Sequence, residues 1–234
     1  MTLIEELQHK LLDLGVDIIF NQGADQIRQE VNKQGAISGS DFTFWTTPAF
    51  STSEAMTFDH DLSQILNTIP FVDVALMNYI FENDQEPLVQ NPGFGFLVPS
   101  SEKDIPILGV IFDTCTFSQG NHSIFTVMMG GAWFNQLFGS NPSLSELDAI
   151  GLKHLKSIMK IKQDPVSKVI KLHRNCIAQY TIGHSQRVQK ARDMILQKKY
   201  PISLIGSSYD GVGINDAIMS SKVQIENFVK MNKF

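Results

Sequence analysis

The residues best placed to do chemistry form a glycine-rich loop near the carboxyl terminus. Gly206, Gly211 and Gly213 let a ligand approach the backbone, because no Cβ stands in the way. Asn215 can cap the helix predicted to follow, whose amino end offers unpaired N–H groups and a partial positive charge. Such an end suits a phosphate or the electron-rich pyrimidine edge of a reduced flavin. The alternative is an ordinary turn before a helix.

Other catalytic patterns are not supported by the spacing of histidines and cysteines. The six histidines show no metal-binding pattern such as HExxH. His173 and His184 are candidates for general bases, but we interpret His184 as structural. Nothing in the sequence places Cys115 or Cys176 beside a histidine; we predict two buried free thiols, with one disulfide as the alternative. The sequence therefore predicts neither a metal site nor a catalytic side chain.

Composition indicates an ordinary globular chain. Its 234 residues are 43% hydrophobic with a formal net charge of −5, which is enough for a core in one or two domains. No apolar run is long enough to cross a bilayer. The predicted first helix, residues 1–14, carries Glu5, Glu6 and Asp13, so it does not read as a targeting peptide.

Charge is unevenly distributed along the chain. Residues 1–150 contain 4 Lys and Arg against 19 Asp and Glu, whereas residues 151–200 contain 12 against 2. The basic stretch could face anionic lipid or an anionic ligand. We favour a simpler interpretation, in which Lys153, Lys156 and Lys160 line the solvent-exposed face of a helix. Because no aromatic residues are interleaved, nucleic-acid binding is not predicted.

The elements that must position the loop mix strands and helices without strict alternation, which predicts an α+β or split α/β fold. The last helix is expected to bury Ile214, Ala217, Ile218, Ser221, Ile225 and Phe228. Ser143 and Glu146 form a capping box that opens another helix. Strands are predicted at 16–20, 42–46, 71–81, 105–112, 124–129, 166–172 and 202–205. Helices are predicted at 62–66 and 185–198, and the last helix at 215–229.

Four strings of residues carry a resemblance to a known family. LIGSSYDGVGINDAIMSS, which contains the loop, resembles the carboxyl-terminal flavin-binding signature of protoporphyrinogen oxidases. NCIAQYTIGH at 175–184 is similar to their CIPQYTLGH segment, and GFGFLVPSSE at 93–102 to their GFGHLVPSSE segment. ILGVIFDTCTF followed by TVMMGGAW resembles their LGIVYDS and TVMLGGSW strands. The strings follow the family's order, and the sequence resembles the carboxyl-terminal half of a protoporphyrinogen oxidase of the animal, mitochondrial type.

The resemblance implies a set of FAD contacts in this half. Val212, Gly213 and Ile214 match positions that contact the isoalloxazine and pyrophosphate end of FAD. Ala24 matches a small residue at the adenosine half, and Leu172 matches a position near the flavin. In the family, flavin accepts the electrons while the protein positions and shields the reactants.

The resemblance also implies a substrate-binding group. Phe94 and Leu97 match apolar residues that sandwich the tetrapyrrole, Met128 matches one packed against the macrocycle, and Ile177 lies near the junction of substrate and flavin. In a regular strand Phe94 and Leu97 would point to opposite faces, so Gly95 or a bulge must redirect one of them.

The implied activity is the six-electron oxidation of protoporphyrinogen IX to protoporphyrin IX in haem biosynthesis. FAD takes hydride at each stage, and dioxygen reoxidises it. The fold implied is that of a two-domain FAD-dependent oxidoreductase, with FAD-domain pieces at 1–50 and 169–234 and a substrate domain at 51–168. Members are homodimers peripheral to the mitochondrial inner membrane, attached through a segment that this sequence lacks.

Departures from the family pattern leave alternatives open. Ala178 replaces the usual proline of the CIPQY string, which removes a fixed φ. No GxGxxG motif opens a strand and helix near the start. The alternative is therefore a catalytically incomplete fragment (a truncated gene model, a splice product or half of a split protein) that binds FAD poorly alone. A second alternative is a related flavin enzyme, either an amine oxidase or a carotenoid desaturase.

Overall fold

The computed structural model describes residues 2–22, 24–83, 88–89, 92–117 and 120–232. The chain forms two compact units. The split unit comprises Met1–Ile69 and Tyr180–Phe234, and the inserted unit comprises Pro70–Gln179. None of the helices described is long and apolar enough to span a membrane.

The elements follow one another in this order: α1 Leu3–Asp13, α2 Ala24–Glu30, β1 Thr43–Trp45, α3 Ala49–Ala55, α4 His60–Asn67, β2 Phe71–Glu82, β3 Gly95–Leu97, β4 Ile107–Phe112, α5 Asp113–Thr116, β5 His122–Gly131, α6 Phe134–Phe138, α7 Leu144–Met159, β6 Ser167–Ala178, α8 His184–Gln197, β7 Ile202–Leu204 and α9 Ile214–Asn232.

An antiparallel sheet of five strands, in the order β3-β4-β5-β2-β6, forms the inserted unit. Alternate side chains of β2 are buried on one face, which we call the core face, because successive residues of a strand point to opposite sides. α7 contributes Leu147 and Leu155 to the same core cluster. Its predicted capping box is confirmed, since the Ser143 and Glu146 side chains each accept a hydrogen bond from the other's backbone N–H. The other side of the sheet is called the open face below.

A bulge interrupts the pairing of β6 with β2. Between the pairs formed by Val72 and Val74, β6 contains extra residues, and Asn175 has a positive φ of +45°. The Asp73 carboxylate stabilises the bulge by accepting hydrogen bonds from the Asn175 N–H, at 2.7 Å, and from the Arg174 guanidinium, at 2.7 Å. Ile177 is thereby placed opposite Val72.

The split unit is built around β1 and β7, which pair in parallel. α8 buries Val188, Ala191 and Ile195, as the sequence predicts. The parallel pair brings the end of β7, where the glycine-rich loop begins, next to the end of β1. The predicted strand at 16–20 is wrong: Val16, Ile19 and Phe20 have no strand conformation and are exposed. Apolar, β-branched composition favours a strand, but only a pairing partner makes one.

α9 is rotated relative to the prediction. Ile214, Ile218 and Ile225 are exposed, whereas Ser220 is buried. Polar contacts explain the rotation: Ser220 donates a hydrogen bond to Asp210 at 2.6 Å, and the Gln224 side chain accepts one from Ser203 at 3.2 Å. Phe228 packs inward, as predicted, on the rings of Phe42 and Phe44, with centroid distances of 4.5 and 5.3 Å.

Two further expectations need correction. The domain boundaries predicted at 50 and 168 each fall elsewhere: α3 and α4 pack together in the split unit, and β6 runs unbroken through 168 as a strand of the inserted unit. Cys115 and Cys176 are free, as predicted, but both are exposed. Cys176 is exposed because β6 lies at the edge of the sheet, where strands have only one neighbour.

Candidate functional site

The loop between β7 and α9 needs glycine at Gly211. Gly206 and Gly211 have φ of +112° and +150°, a region that other residues rarely adopt. A Cβ on Gly211 would lie 2.3 Å from the Cβ of Asp216, so the side chain of Asp216 occupies the space that glycine leaves. The backbone of the loop therefore folds closely against the first turn of α9.

A tyrosine holds the two ends of this loop together. The Tyr180 hydroxyl accepts a hydrogen bond from the Gly211 N–H at 2.6 Å and donates one to the Ser207 carbonyl at 2.8 Å. Burial raises the pKa of Tyr180 above its usual value, so the hydroxyl keeps the proton that it donates. The ring of Tyr180 is stacked on His184, with centroids 3.8 Å apart.

His184 supports the middle of the loop. It is buried, and its Nε2 lies 3.0 Å from the carbonyl oxygen of Tyr209, so Nε2 donates the hydrogen bond. Tyr209 is itself buried, and its hydroxyl reaches Thr52 at 3.4 Å. These contacts support the structural interpretation of His184.

An ion pair attaches the loop to both flanking helices. The Arg192 guanidinium of α8 donates to the two carboxylate oxygens of Asp210, at 2.8 and 2.7 Å, and to the Leu204 carbonyl at 3.1 Å. Ser220 of α9 donates to the same carboxylate. Burial raises the pKa of Asp210, but these hydrogen bonds outweigh it and hold the pKa below its usual value.

The residues predicted to contact flavin are exposed at the end of this anchored loop. Val212, Gly213 and Ile214 lie on the surface of the split unit, at the amino end of α9. The N–H groups of a first helical turn have no intrahelical acceptor, so they are available to a ligand. The prediction that Asn215 caps the helix is wrong, because α9 already begins at Ile214. The first hydrogen bond of the helix runs from the Ala217 N–H to the Gly213 carbonyl.

Two other predicted flavin contacts belong to other elements of the chain. Ala24 begins α2, but its side chain lies outside the described residues. Leu172 belongs to β6 in the inserted unit and pairs with Ala75, so its side chain lies on the core face, where it packs against the core cluster. Met128 pairs with Leu76, whose side chain lies on the open face. Leu172 and Met128 therefore lie on opposite faces of the sheet.

Three of the four predicted substrate contacts share the open face of the sheet. Met128 pairs with Gly109, and Gly109 pairs with Leu97. Ile177 reaches the same face through its pairing with Val72. Leu97 is 80% exposed and Ile177 40%, so this face presents apolar side chains to solvent.

Gly109 makes room for Leu97 on this face. A Cβ on Gly109 would lie 2.8 Å from Leu97 Cδ2 and 2.7 Å from the Phe96 carbonyl oxygen. The side chain of Leu97 therefore lies over the gap that Gly109 leaves in the sheet.

Gly95, the first residue of β3, has a backbone conformation that favours glycine. It has a φ of +148°, and a Cβ there would lie 2.0 Å from the Val110 carbonyl oxygen. Phe96 packs against the core cluster, whereas Phe94, two residues earlier, is 72% exposed. Regular alternation would have put both rings on the core face.

Two residues of the open face were missed by the sequence analysis. Leu76 pairs with Met128, and Ile111 pairs with Gly95 on one side and Thr126 on the other. Both are partly buried. Alternation along β2 and β4 could have identified them, because each lies one residue away from core-face neighbours.

The two hydrogen bonds of the Tyr180 hydroxyl should stabilise the loop. Tyr180→Phe keeps the stacking on His184 but removes both loop hydrogen bonds, so we expect the protein to lose about 1–2 kcal/mol of stability. The Gly211 amide should exchange its hydrogen faster, measured by NMR or mass spectrometry. Tyr209→Phe is the control, since it removes only a 3.4 Å contact. Equal effects of the two variants would show that Tyr180 does not hold the loop.

Known structures share this fold. The crystal structure of reduced UDP-galactopyranose mutase superposes with a TM-score of 0.56 and 13% identity, covering 75% of this chain and 36% of that one. The fold is that of the carboxyl-terminal part of a two-domain FAD-dependent oxidoreductase. No protein-family model matches the chain.

Sequence comparison is more specific. The human protoporphyrinogen oxidase is 33% identical over 202 residues, which cover 83% of this chain and 42% of the human protein. The crystal structure of a proposed protoporphyrinogen oxidase from Exiguobacterium is 25% identical with a TM-score of 0.69, covering 81% of this chain and 41% of that one. The chain is thus homologous to the protoporphyrinogen oxidases over the part of them that it spans, about two fifths of the length of the human relative.

Proposed function

We propose that this chain supplies the substrate-binding sheet and the flavin-ring contacts of an enzyme that oxidises protoporphyrinogen IX to protoporphyrin IX with FAD and dioxygen. The observation that carries the proposal is the open face, where Leu97, Met128 and Ile177, chosen from sequence alone, share one side of one sheet. A large, flat, mostly apolar molecule gains most by covering such a face.

The loop fits the ring end of FAD better than its phosphates. The Asp216 carboxylate lies in the first turn of α9, and a Cβ on Gly213 would be 3.0 Å from its Oδ2. A negative group already beside the helix end disfavours a second one. The neutral carbonyl edge of the flavin ring can still accept hydrogen bonds from the free N–H groups near Gly213. When bound, FAD would supply the hydride acceptor.

We also propose that the chain is not a complete enzyme by itself. It spans about two fifths of its human relative, and it carries no GxGxxG motif for the pyrophosphate. Each factor of ten in affinity corresponds to about 1.4 kcal/mol, so losing those contacts should weaken FAD binding by several powers of ten. On the likeness to the animal relatives, the complete enzyme would be a homodimer at the mitochondrial inner membrane, which mitochondrial subfractionation would test.

The test separates the two parts of the proposal. The purified chain is incubated with FAD, desalted, and its visible absorbance recorded; protoporphyrin IX is titrated separately and followed by its fluorescence. We expect saturable porphyrin binding and a colourless protein after desalting. Retained flavin together with turnover of protoporphyrinogen would overturn the incompleteness of the chain. Absence of porphyrin binding would overturn the assignment of the open face.

A further inference from the structure

A row of directly paired residues crosses the open face from its edge strand. Lys171 of β6 pairs with Leu76, Leu76 with Met128, and Met128 with Gly109, which pairs with Leu97. Paired residues of neighbouring strands point to the same side of a sheet, so Lys171 stands at one end of the apolar row. With strands about 4.8 Å apart, the row from Lys171 to Leu97 spans roughly 19 Å.

Lys171 differs from the neighbouring cations of β6. Lys168 pairs with Tyr79 on the core side and forms an ion pair with Asp148. Arg174 forms an ion pair with Asp73. Across the described ranges, no carboxylate lies within ion-pair distance of Lys171, which is exposed. Among the residues that the structure describes, its charge is therefore not paired with a carboxylate.

The open face also carries an acidic group on the side away from β6. Asp113 accepts a hydrogen bond from Thr126 at 2.8 Å, and Thr126 donates from the same face as Met128, two residues away along β5. His173 lies two residues from Lys171 on the same face, opposite Val74. Lys171 and His173 thus lie on β6, and Asp113 lies toward β4 and β5. Glu82 and His122 pair on the same face at the ends of β2 and β5.

We propose that Lys171 is a carboxylate-binding residue of the open face and that it orients the bound macrocycle. The inference rests on the proposed function, because protoporphyrinogen and protoporphyrin IX are apolar macrocycles with two carboxylates along one edge. Those carboxylates bind at the β6 edge, while the apolar part covers Leu76, Met128 and Leu97. Repulsion by Asp113 disfavours the reversed orientation.

The test compares a probe that has two carboxylates with one in which both are neutral methyl esters. Protoporphyrin IX and its dimethyl ester are titrated into the full chain and followed by fluorescence. We expect the wild type to bind the free acid about tenfold more tightly than the diester, since one charge-assisted hydrogen bond has about that effect. Lys171→Ala should lose this preference without weakening the diester, and Lys171→Arg should keep it. The preference should decrease with added salt.

Lys168→Ala is the matched control, because it removes the same charge from the same strand on the opposite face. We expect it to bind both probes as the wild type does. If Lys171→Ala binds the free acid as tightly as the wild type, or loses both probes equally, the carboxylate site is wrong while the proposed function stands. If the wild type binds neither probe, both the assignment of the open face and the role of Lys171 fail.

Discussion

Replacing Gly95 by alanine should separate β3 from β4 and destroy the outer part of the open face. The φ of +148° is accessible essentially to glycine alone, and the added Cβ would lie 2.0 Å from the backbone oxygen of Val110. A backbone atom paired within a sheet cannot move aside without breaking the pairing. We therefore expect a loss of about 2–4 kcal/mol in the free energy of unfolding, measured by urea denaturation.

Binding should suffer along with stability. Leu97 lies two residues from Gly95 on the same short strand, so its position over Gly109 depends on that strand. Protoporphyrin IX should bind the alanine variant at least about tenfold more weakly than the wild type. Gly93→Ala is the control, because a Cβ there meets nothing within 4 Å. If the two variants behave alike, the conformation of Gly95 does not matter for this face.

Local sequence patterns predicted the elements well where they reflect local physics. The capping box of Ser143 and Glu146, the long β2 strand and the inward residues of α8 each depend on periodicity or on neighbours within one turn, and each is confirmed. Alternation also predicted a special conformation at Gly95 or a bulge, and Gly95 has a φ of +148°.

Features that depend on residues distant in the sequence could not be predicted from local sequence patterns. The rotation of α9 is fixed by Ser220 bonding Asp210 and by Gln224 bonding Ser203, whereas its isoleucines suggested a different inward face. Likewise, the bulge of β6 depends on Asp73, which lies about a hundred residues earlier in the sequence than its partner Asn175. No local pattern marks such a pair before the chain has folded.

The open face shows both limits at once. Its members were selected by resemblance, and register then showed that Leu97, Met128 and Ile177 share a side while Leu172 does not. A strand places every second residue on one face, so one residue of misalignment reverses the assignment. Matching a residue to a family position therefore does not show which face of the sheet its side chain lies on; the register of the strand does.

Arg192→Met should destabilise the split unit and change its response to pH. The substitution keeps much of the side chain's apolar length but removes the two hydrogen bonds to Asp210 and the one to Leu204. The substitution leaves the partly buried Asp210 carboxylate without its bidentate partner, so we expect the free energy of unfolding to fall by about 2 kcal/mol at pH 7. The loop would then lose its ion pair with α8, while the contact between His184 and the Tyr209 carbonyl would remain.

The pH dependence follows from the direction of the shift. In the wild type the pKa of Asp210 is lowered, so its contribution to stability is present above the pKa of the unfolded state and is lost as pH falls through the folded pKa. Without Arg192 the burial of Asp210 is less opposed, so its pKa should rise. Protonation then relieves the buried charge at higher pH. The stability difference between wild type and Arg192→Met should therefore narrow as pH falls from 7 toward 3.5.

Arg187→Met provides the comparison for this experiment. Arg187 lies on the same helix, but it donates to the Thr181 hydroxyl at 2.6 Å and to the Ile182 carbonyl rather than to a carboxylate. The free energy of unfolding of Arg187→Met should differ less from that of the wild type, and by nearly the same amount in urea titrations at pH 7, 5 and 3.5. If both variants show the same pH profile, Asp210 is not the titrating group. If the stability difference narrows only for Arg192→Met, the ion pair that anchors the glycine-rich loop also determines the acid sensitivity of the split unit.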